Sequence, residues 1–235
     1  MSLPLLLAAL ALLFVSAPAA SAQVANQNLP QPGDAAFLVP AGKVEHTVTV
    51  VRVEGSNALP RHERIELWMA RDRARNVVTD VRTGKVVREI TYKPGESRVY
   101  DAEKHTVTVL KERGTTTPPW NSFLFEAAVQ KAYVEQGITR VIGETTVRGR
   151  RALLVESVPG KWRSDDPASR TTATIDAETF VLYERSTGVP NGEYRQTETY
   201  SVFEQLDAAP AVTARMAMGA HKGAKVKRVK PARKP

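Results

Sequence analysis

Short runs of alternating apolar and polar residues occupy most of the chain between residues 44 and 204. In residues 64–69, for example, Ile65, Leu67 and Met69 alternate with polar positions and with Trp68. A period of two is typical of strands with one buried face, and turn pairs such as Pro94-Gly95 separate the runs. The pattern predicts strands at residues 44–53, 64–69, 75–81, 86–93, 98–100, 106–110, 140–146, 151–156, 171–175, 180–185 and 193–204.

The period changes after Thr117. Phe125, Val129 and Ala132 fall on one stripe of a 3.6-residue period, and either Asn121 or Ser122 can cap the helix that this stripe predicts. Gly137 follows as the residue that ends it. Elsewhere the pattern gives no comparable helix, and residues 34–39 are either part of a linker or a short, loosely held helix.

The predicted fold class is mainly β (α+β): a large, curled antiparallel sheet forming a half-barrel, with one main helix as its lid. About ten or eleven strands are expected, and a sheet of that width tends to curl. The concave face of such a sheet must be covered by apolar side chains, and one helix supplies few of them. A partly open cavity between helix and sheet is therefore expected.

Four segments follow from the composition. Residues 1–22 resemble a signal peptide, since an apolar core precedes the small-residue triplet Ala20-Ser21-Ala22. A membrane anchor is the alternative, but the apolar run is short for a span. Residues 23–42 are interpreted as a linker, residues 43–206 as the half-barrel domain and residues 207–235 as a disordered basic tail. An exported, periplasmic or extracellular protein is expected.

The net charge of +8 comes almost entirely from the last fifteen residues, 221–235, which hold seven of the 33 basic residues and no acid. A nearly neutral domain does not suit nucleic acid, which selects a positive surface on the folded part. The tail is either a solubilising extension or a tether to an anionic membrane or cell-wall surface. The residues that would bind such a surface are Lys222, Lys225, Lys227, Arg228, Lys230, Arg233 and Lys234.

Residues that could carry chemistry are few. The chain has no cysteine, so thiol catalysis, thiolate metal sites and a lipobox anchor are excluded. His46, His62 and His105 could meet as a metal triad, although exposed or strand-edge histidines are the simpler interpretation. No nucleophile elbow, phosphate loop or metalloprotease motif occurs. The expectation is a protein that is not an enzyme, with no cofactor and no catalytic or metal-binding residue.

One stretch carries a family resemblance. Thr174-Ile175-Asp176-Ala177-Glu178-Thr179-Phe180-Val181-Leu182-Tyr183-Glu184, with Tyr200-Ser201-Val202-Phe203 after it, resembles the late hairpin and long strand of the bacterial lipoprotein-carrier superfamily. That group includes LolA- and LolB-like carriers, LppX-like lipid carriers and periplasmic regulators of sigma factors. The resemblance implies a half-barrel whose concave face binds acyl chains or an apolar protein segment, with an aspartate and a threonine shaping the hairpin turn.

Two hypotheses on function follow. The first is a carrier or binding protein for a lipid or another hydrophobic ligand in the cell envelope. The alternative is an envelope regulator that binds a membrane protein. Trp68, opposite in phase to Leu67, is either a surface aromatic or a contact for another chain. The residues expected to line the ligand site are Val48, Val50, Ile65, Leu67, Met69, Ile90 and Tyr92 from the strands, and Leu124, Phe125 and Val129 from the helix.

Overall fold

The computed structural model describes residues 29–31, 35–111, 118–159, 169–189 and 192–229. In these ranges twelve strands form one sheet. The predicted signal peptide, residues 1–22, lies outside the described residues. The strands are β1 Lys43–Glu54, β2 Arg61–Met69, β3 Ala74–Asp80, β4 Val86–Lys93, β5 Glu96–Asp101, β6 Thr106–Lys111, β7 Thr139–Val147, β8 Arg150–Ser157, β9 Arg170–Asp176, β10 Leu182–Gly188, β11 Arg195–Asp207 and β12 Lys225–Val229.

The strand order from edge to edge is β12-β6-β5-β4-β3-β2-β1-β11-β10-β9-β8-β7, so the sheet is not closed into a barrel. Its pairs are antiparallel, except that β12 runs parallel to β6. The long strand β1 lies near the centre and pairs with β2 on one side and β11 on the other. The mainly β class with a large antiparallel sheet and one main helix is therefore confirmed.

Cross-strand partners point to the same side of a sheet, so the register divides the residues between two faces. One face, which we call the helix face, carries Glu45, Leu67 and Met69, because Glu45 is paired with Met69 and Thr47 with Leu67. The opposite face, the strap face, carries Val48 and Trp68.

The main helix, α1, spans Phe123–Glu135 and lies on the helix face, nearest to β7 and β10. Of the two candidate caps, Ser122 is the one used: its Oγ accepts a hydrogen bond from Leu124 N at 3.0 Å. The helix ends before Gly137, whose φ of 62° lies in the left-handed region that favours glycine. On the N-terminal side, within the segment interpreted as a linker or a short helix, a single 3-10 turn spans Ala35–Phe37, and Val39 after it is buried.

The segment after Asp207, predicted from its composition to be disordered, instead has defined structure up to Val229. A short helix, α2 (Pro210–Thr213), and a 3-10 turn at Ala214–Met216 lead across the strap face to β12. We call residues 210–229 the strap. Its Met216 packs against Val44 and Trp68, so the tryptophan expected at the surface or in a contact with another chain is buried within this one.

A buried carboxylate fastens the strap to the sheet. Glu89 on β4 is only 1% exposed, and it accepts hydrogen bonds from Arg75 Nε at 2.7 Å and from the backbone N of Gly219 at 2.8 Å. His221 places Nε2 2.8 Å from the same carboxylate and stacks on Tyr100, with ring centroids 3.5 Å apart. A Cβ at position 219 would lie 3.2 Å from Glu89 Oε2, so glycine permits this close approach.

The prediction of disorder for the strap was wrong because composition describes side chains, and few side chains hold the strap in place. Backbone pairing with β6 holds β12, whose five residues are all exposed and whose lysines point to solvent. The basic residues Lys230, Arg233 and Lys234 lie outside the described residues. Within the described part of the chain, α1 and α2 are both too short or too polar to span a bilayer.

Candidate functional site

A second buried carboxylate pins the start of α1 to the centre of the sheet. Ser122 Oγ donates to Glu45 Oε1 at 2.7 Å, and Phe123 N lies 3.3 Å from Glu45 Oε2. Burial raises the pKa of Glu45, while these two hydrogen bonds oppose the rise. Since Glu45 belongs to the central strand β1, the first turn of the helix has a fixed position over the helix face.

Contacts between aromatic rings also fix the position of the N-terminal end of α1. Phe125 meets Phe37 edge to face, with centroids 5.9 Å apart, and Phe123 meets Phe203 of β11 at 6.0 Å. Edge-to-face contacts of this kind add about 0.5–1.5 kcal/mol to the burial of the rings. The N-terminal turn, α1 and β11 are thus held together on one side of the sheet.

Polar side chains fill the space between α1 and strands β10 and β11. Arg185 forms a 2.6 Å ion pair with Glu198, which also accepts from Tyr200 Oη at 3.0 Å and from Gln196 Nε2 at 2.7 Å. Burial raises the pKa of Tyr200, and burial likewise raises that of Glu126 on the facing side of α1. The region between α1 and strands β10 and β11 is therefore packed and polar. Next to it, Val134 of α1 packs on a buried apolar cluster of β8, β9 and β10 formed by Val155, Ala173, Ile175 and Leu182, so this half of the helix face is filled by side chains of the chain itself.

A cavity of about 110 Å³ lies beside this polar cluster, lined by residues of β1, β2 and β11 that include Val51, Ile65 and Tyr200. Small-molecule sites usually measure about 300–1,000 Å³. Its lining comes from the strands and includes no residue of α1, so it is not the cavity that was expected between helix and sheet.

Beyond the helix, the same face of β2–β5 carries an apolar patch, which we define as Ile65, Leu67, Ile90 and Val99. Leu67, Ile90 and Val99 lie in one row across the strands, in which the buried side chain of Asn76 on β3 separates Leu67 from Ile90, and Ile65 lies two residues before Leu67 on β2. All four are partly exposed. At one end of the patch the side chains become fully buried, where Val39 and Trp120 pack on Met69 and Ala74.

Tyr92 lies in this buried row, since the register pairs it with Ala74. It is 4% exposed, and its hydroxyl has no hydrogen-bond partner among the described residues. A buried hydroxyl without a partner costs roughly 1–3 kcal/mol of stability. A ligand atom able to accept this hydrogen bond would remove that cost.

The expected ligand-lining residues therefore separate into three groups. Five of the strand residues share the helix face: Ile65, Leu67, Met69, Ile90 and Tyr92. Val48 and Val50 do not, because they are paired with Glu66 and Arg64 on the strap face, so their assignment to the ligand site is wrong. Phe125 is buried against Phe37, while Leu124 and Val129 are partly buried on a helix that lies nearest β7 and β10, away from the patch.

The histidines do not meet. His46 stacks on Trp68 and lies 3.2 Å from Glu66 Oε1, whereas His62 is paired with Arg52, six residues further along β1. Six residues of strand correspond to about 20 Å. His105 lies in the turn between β5 and β6. No group of three or more metal-binding side chains occurs among the described residues.

Sequence reasoning did not identify the two carboxylates that fix α1 and the strap. Each has one signal in the sequence, which is an acid placed among the apolar residues of a predicted strand. In the structure both Glu45 and Glu89 are buried. An acid in such a position needs a hydrogen-bonding partner from outside the sheet. The partners, Ser122 and Gly219, are 77 and 130 residues away along the chain, so no local pattern connects them.

No protein-family model matches the chain, and no curated protein matches it significantly. Solved structures with a similar arrangement include an uncharacterised conserved protein from Thermus thermophilus, with 10% identity, a TM-score of 0.45 and coverage of 80% of this chain and 90% of that one. A chain of the Pseudomonas aeruginosa MucA/MucB complex has 13% identity and a TM-score of 0.43, covering 76% and 56%.

The Mycobacterium tuberculosis lipoprotein LppX has 12% identity and a TM-score of 0.36, covering 67% of this chain and 85% of its own. Likenesses at this level concern the arrangement of strands and carry no information on ligand or partner.

Proposed function

We propose that this chain is a non-catalytic binding protein of the cell envelope that holds an acyl chain, or a ligand of similar shape, against the apolar patch. The supporting observation is that the register gathers four partly exposed aliphatic side chains next to a buried hydroxyl that has no partner among the described residues. Aliphatic lining with one placed polar group is the usual make-up of a site for a hydrophobic ligand.

The dimensions of the patch suit an acyl chain. Neighbouring strands are about 4.8 Å apart, so the row from Leu67 on β2 to Val99 on β5 is about 14 Å long. An acyl chain in one leaflet of a bilayer occupies about 15 Å, half of the hydrocarbon thickness. Tyr92 lies in the neighbouring row, two residues after Ile90 on β4, and its hydroxyl would donate a hydrogen bond to a carboxylate or ester of a ligand that reaches this row.

Binding requires some opening of the structure. The described cavity on the helix face is about 110 Å³, and Val39 and Trp120 cover the buried end of the patch. Displacing these two side chains would extend the patch to Met69 and Tyr92 without disturbing the hydrogen bonds that pin α1 at Glu45.

The test uses delipidated full-length protein and a dansyl-labelled fatty acid. Ile90→Asn is expected to weaken binding by roughly tenfold, because it removes an aliphatic side chain of the patch and places a second amide beside Asn76. Tyr92→Phe should weaken it by roughly 2–10-fold and, without ligand, should raise the free energy of unfolding by about 1 kcal/mol, since the unpaired hydroxyl is removed. Fluorescence titration and urea unfolding give the two values.

Val50→Asn is the matched control, because Val50 is also partly buried in a strand but lies on the strap face. Equal losses in Ile90→Asn and Val50→Asn would contradict the proposal, as would delipidated protein that takes up no probe. Recovery of one stoichiometric polypeptide in place of lipid from envelope extracts would instead favour the alternative function, an envelope regulator with a protein partner.

A further inference from the structure

A second cavity, of about 290 Å³, lies on the strap face, between the strap and strands β4 and β5. Its strap side is made of Thr213, Met216, Ala217 and Met218. Its sheet side is formed by Arg73, Thr91, Tyr92, Lys93, Glu96 and Arg98. The cavity therefore has a soft apolar wall of methionines facing a charged wall of strand residues.

Positive charge is in excess on the charged wall. Glu96 is the one carboxylate of the lining, and it is shared by Lys111 Nζ at 2.5 Å and Arg98 Nε at 2.9 Å. Lys93 Nζ lies 3.7 Å from the same carboxylate, beyond hydrogen-bonding distance. The hydrogen bonds from Lys111 and Arg98 lower the pKa of Glu96 to about 2, so Glu96 is ionised at neutral pH. Both of its carboxylate oxygens already accept a hydrogen bond from one of these cations.

Two cations of this wall thus keep free donors. Arg98 contacts Glu96 through Nε, which leaves both terminal guanidinium nitrogens without a partner among the described residues. Lys93 keeps its ammonium group, whose side chain is 63% exposed. Arg73 is already neutralised by Asp72 through two hydrogen bonds of 3.1 Å. The groups available to a ligand are therefore the guanidinium of Arg98 and the ammonium of Lys93 on one wall, and the thioethers of Met216 and Met218 on the other.

We propose that this cavity binds a small organic anion: a carboxylate held by Lys93 and Arg98, joined to an aromatic group that packs on Met216 and Met218. A guanidinium binds a carboxylate through two parallel hydrogen bonds, and methionine sulfur makes favourable contacts with aromatic rings. The size fits, because a cavity of about 150 Å³ accepts one benzene ring, so 290 Å³ accommodates two fused rings. Such a ligand touches strap and sheet together and stabilises the closed strap.

The methionines make the proposal testable by NMR. The chain has four methionines, and two of them, Met216 and Met218, line this cavity, whereas Met69 lies on the helix face. Protein with ¹³C-labelled methionine methyl groups is titrated with 2-naphthoate, and with 2-naphthalenemethanol as the uncharged analogue. The expected result is a saturable shift of the Met216 and Met218 methyl signals with naphthoate, a much weaker response to the alcohol, and no shift at Met69.

Substitution gives an independent readout. Lys93→Gln and Arg98→Gln should each weaken naphthoate binding by roughly threefold or more, and about 0.5 M salt should weaken binding to the wild type. Lys131→Gln, on the exposed side of α1, is the control and should have no effect. The proposal is overturned if naphthoate moves Met69 in place of Met216 and Met218, if the alcohol binds equally well, or if the Lys93 and Arg98 variants match the control.

Discussion

At the scale of single residues, two buried carboxylates of the sheet, Glu45 and Asp176, have pKa values shifted in opposite directions. Glu45 accepts two hydrogen bonds from the start of α1, and burial still raises its pKa. Asp176 has more partners: Arg150 Nε at 2.6 Å, Thr179 N and Oγ1 both at 2.8 Å, and Tyr183 Oη at 2.8 Å. These hydrogen bonds outweigh the effect of burial and hold the pKa of Asp176 well below its usual value.

Replacing Asp176 by Asn is expected to reduce the free energy of unfolding at pH 7 by about 2–3 kcal/mol, because the amide cannot accept all of these hydrogen bonds. The effect depends on pH in a defined direction. With a depressed pKa in the folded state, the contribution of Asp176 is complete above about pH 5 and is lost as the pH falls below about 4. The difference between wild type and variant should therefore narrow from pH 7 to pH 3.

Urea unfolding at pH 7, 5 and 3 measures this difference. Asp207→Asn is the control: its carboxylate is exposed beside Lys43, so a change within about 0.5 kcal/mol is expected. A gap between wild type and Asp176→Asn that does not narrow at acidic pH would show that the carboxylate is not the stabilising group.

The hairpin turn at Asp176 also shows what the sequence could reveal about single residues. The family resemblance implied a turn shaped by an aspartate and a threonine, and Asp176 and Thr179 do form it. The error at Val48 and Val50 has a physical origin. Both faces of β1 carry buried side chains, so its alternation does not tell which set shares a face with Leu67. Only the register with β2 decides this, and register depends on the turn between the strands.

At the scale of elements, the strands were predictable and the strap was not. Eleven strands have a clear period of two or strong flanking turns, and the runs predicted for them all fall on strands of the structure. The strap has no apolar period, because it is held by one methionine, one histidine and the parallel pairing of β12. Its anchor, Glu89, belongs to a distant strand, which a local pattern cannot show.

Replacing His221 by Ala is expected to loosen the strap while leaving the rest of the sheet intact. The change removes the contact with Glu89 and the stacking on Tyr100, so hydrogen exchange of the backbone amides in residues 216–229 should become roughly tenfold faster. Amides of β1 and β11 should not change. His62→Ala, an exposed histidine of β2, is the matched control. Unchanged exchange in the strap of His221→Ala would mean that β12 alone holds it.

At the scale of the whole molecule, the sheet is open and has two edges. The two edges are protected from pairing with other chains in different ways. β7 forms one edge, with Val141 and Ile142 about half exposed and a register irregularity between Val141 and Gly143. Irregular, bent edge strands resist pairing with other chains. The other edge would be β6, a regular strand of sequence TVTVLK, but β12 covers it with lysines and an arginine.

Removing β12 should therefore promote association. A chain that ends after Ala224 is expected to keep the sheet but to form oligomers or aggregates as its concentration rises, because β6 then presents unpaired backbone groups. A chain that ends after Val229 keeps β12 and is the control. Light scattering and size-exclusion chromatography over a concentration series compare the two. Equal behaviour of both truncations would show that β12 does not protect the edge.

The position of β1 has a consequence for how the chain reaches this structure. β1 is the first strand of the chain, yet every one of its residues is paired with a residue of β11, about 150 residues later. The centre of the sheet thus cannot be completed until nearly the whole chain has been synthesised. Until then β1–β6 and β7–β10 are two separate meanders, with β1 as the free edge of one and β10 as the free edge of the other, and β11 closes the gap between them. Pairing over such long sequence separations is slow, so the nascent chain passes through a stage at which its inner strands, and not only its outer ones, are edges.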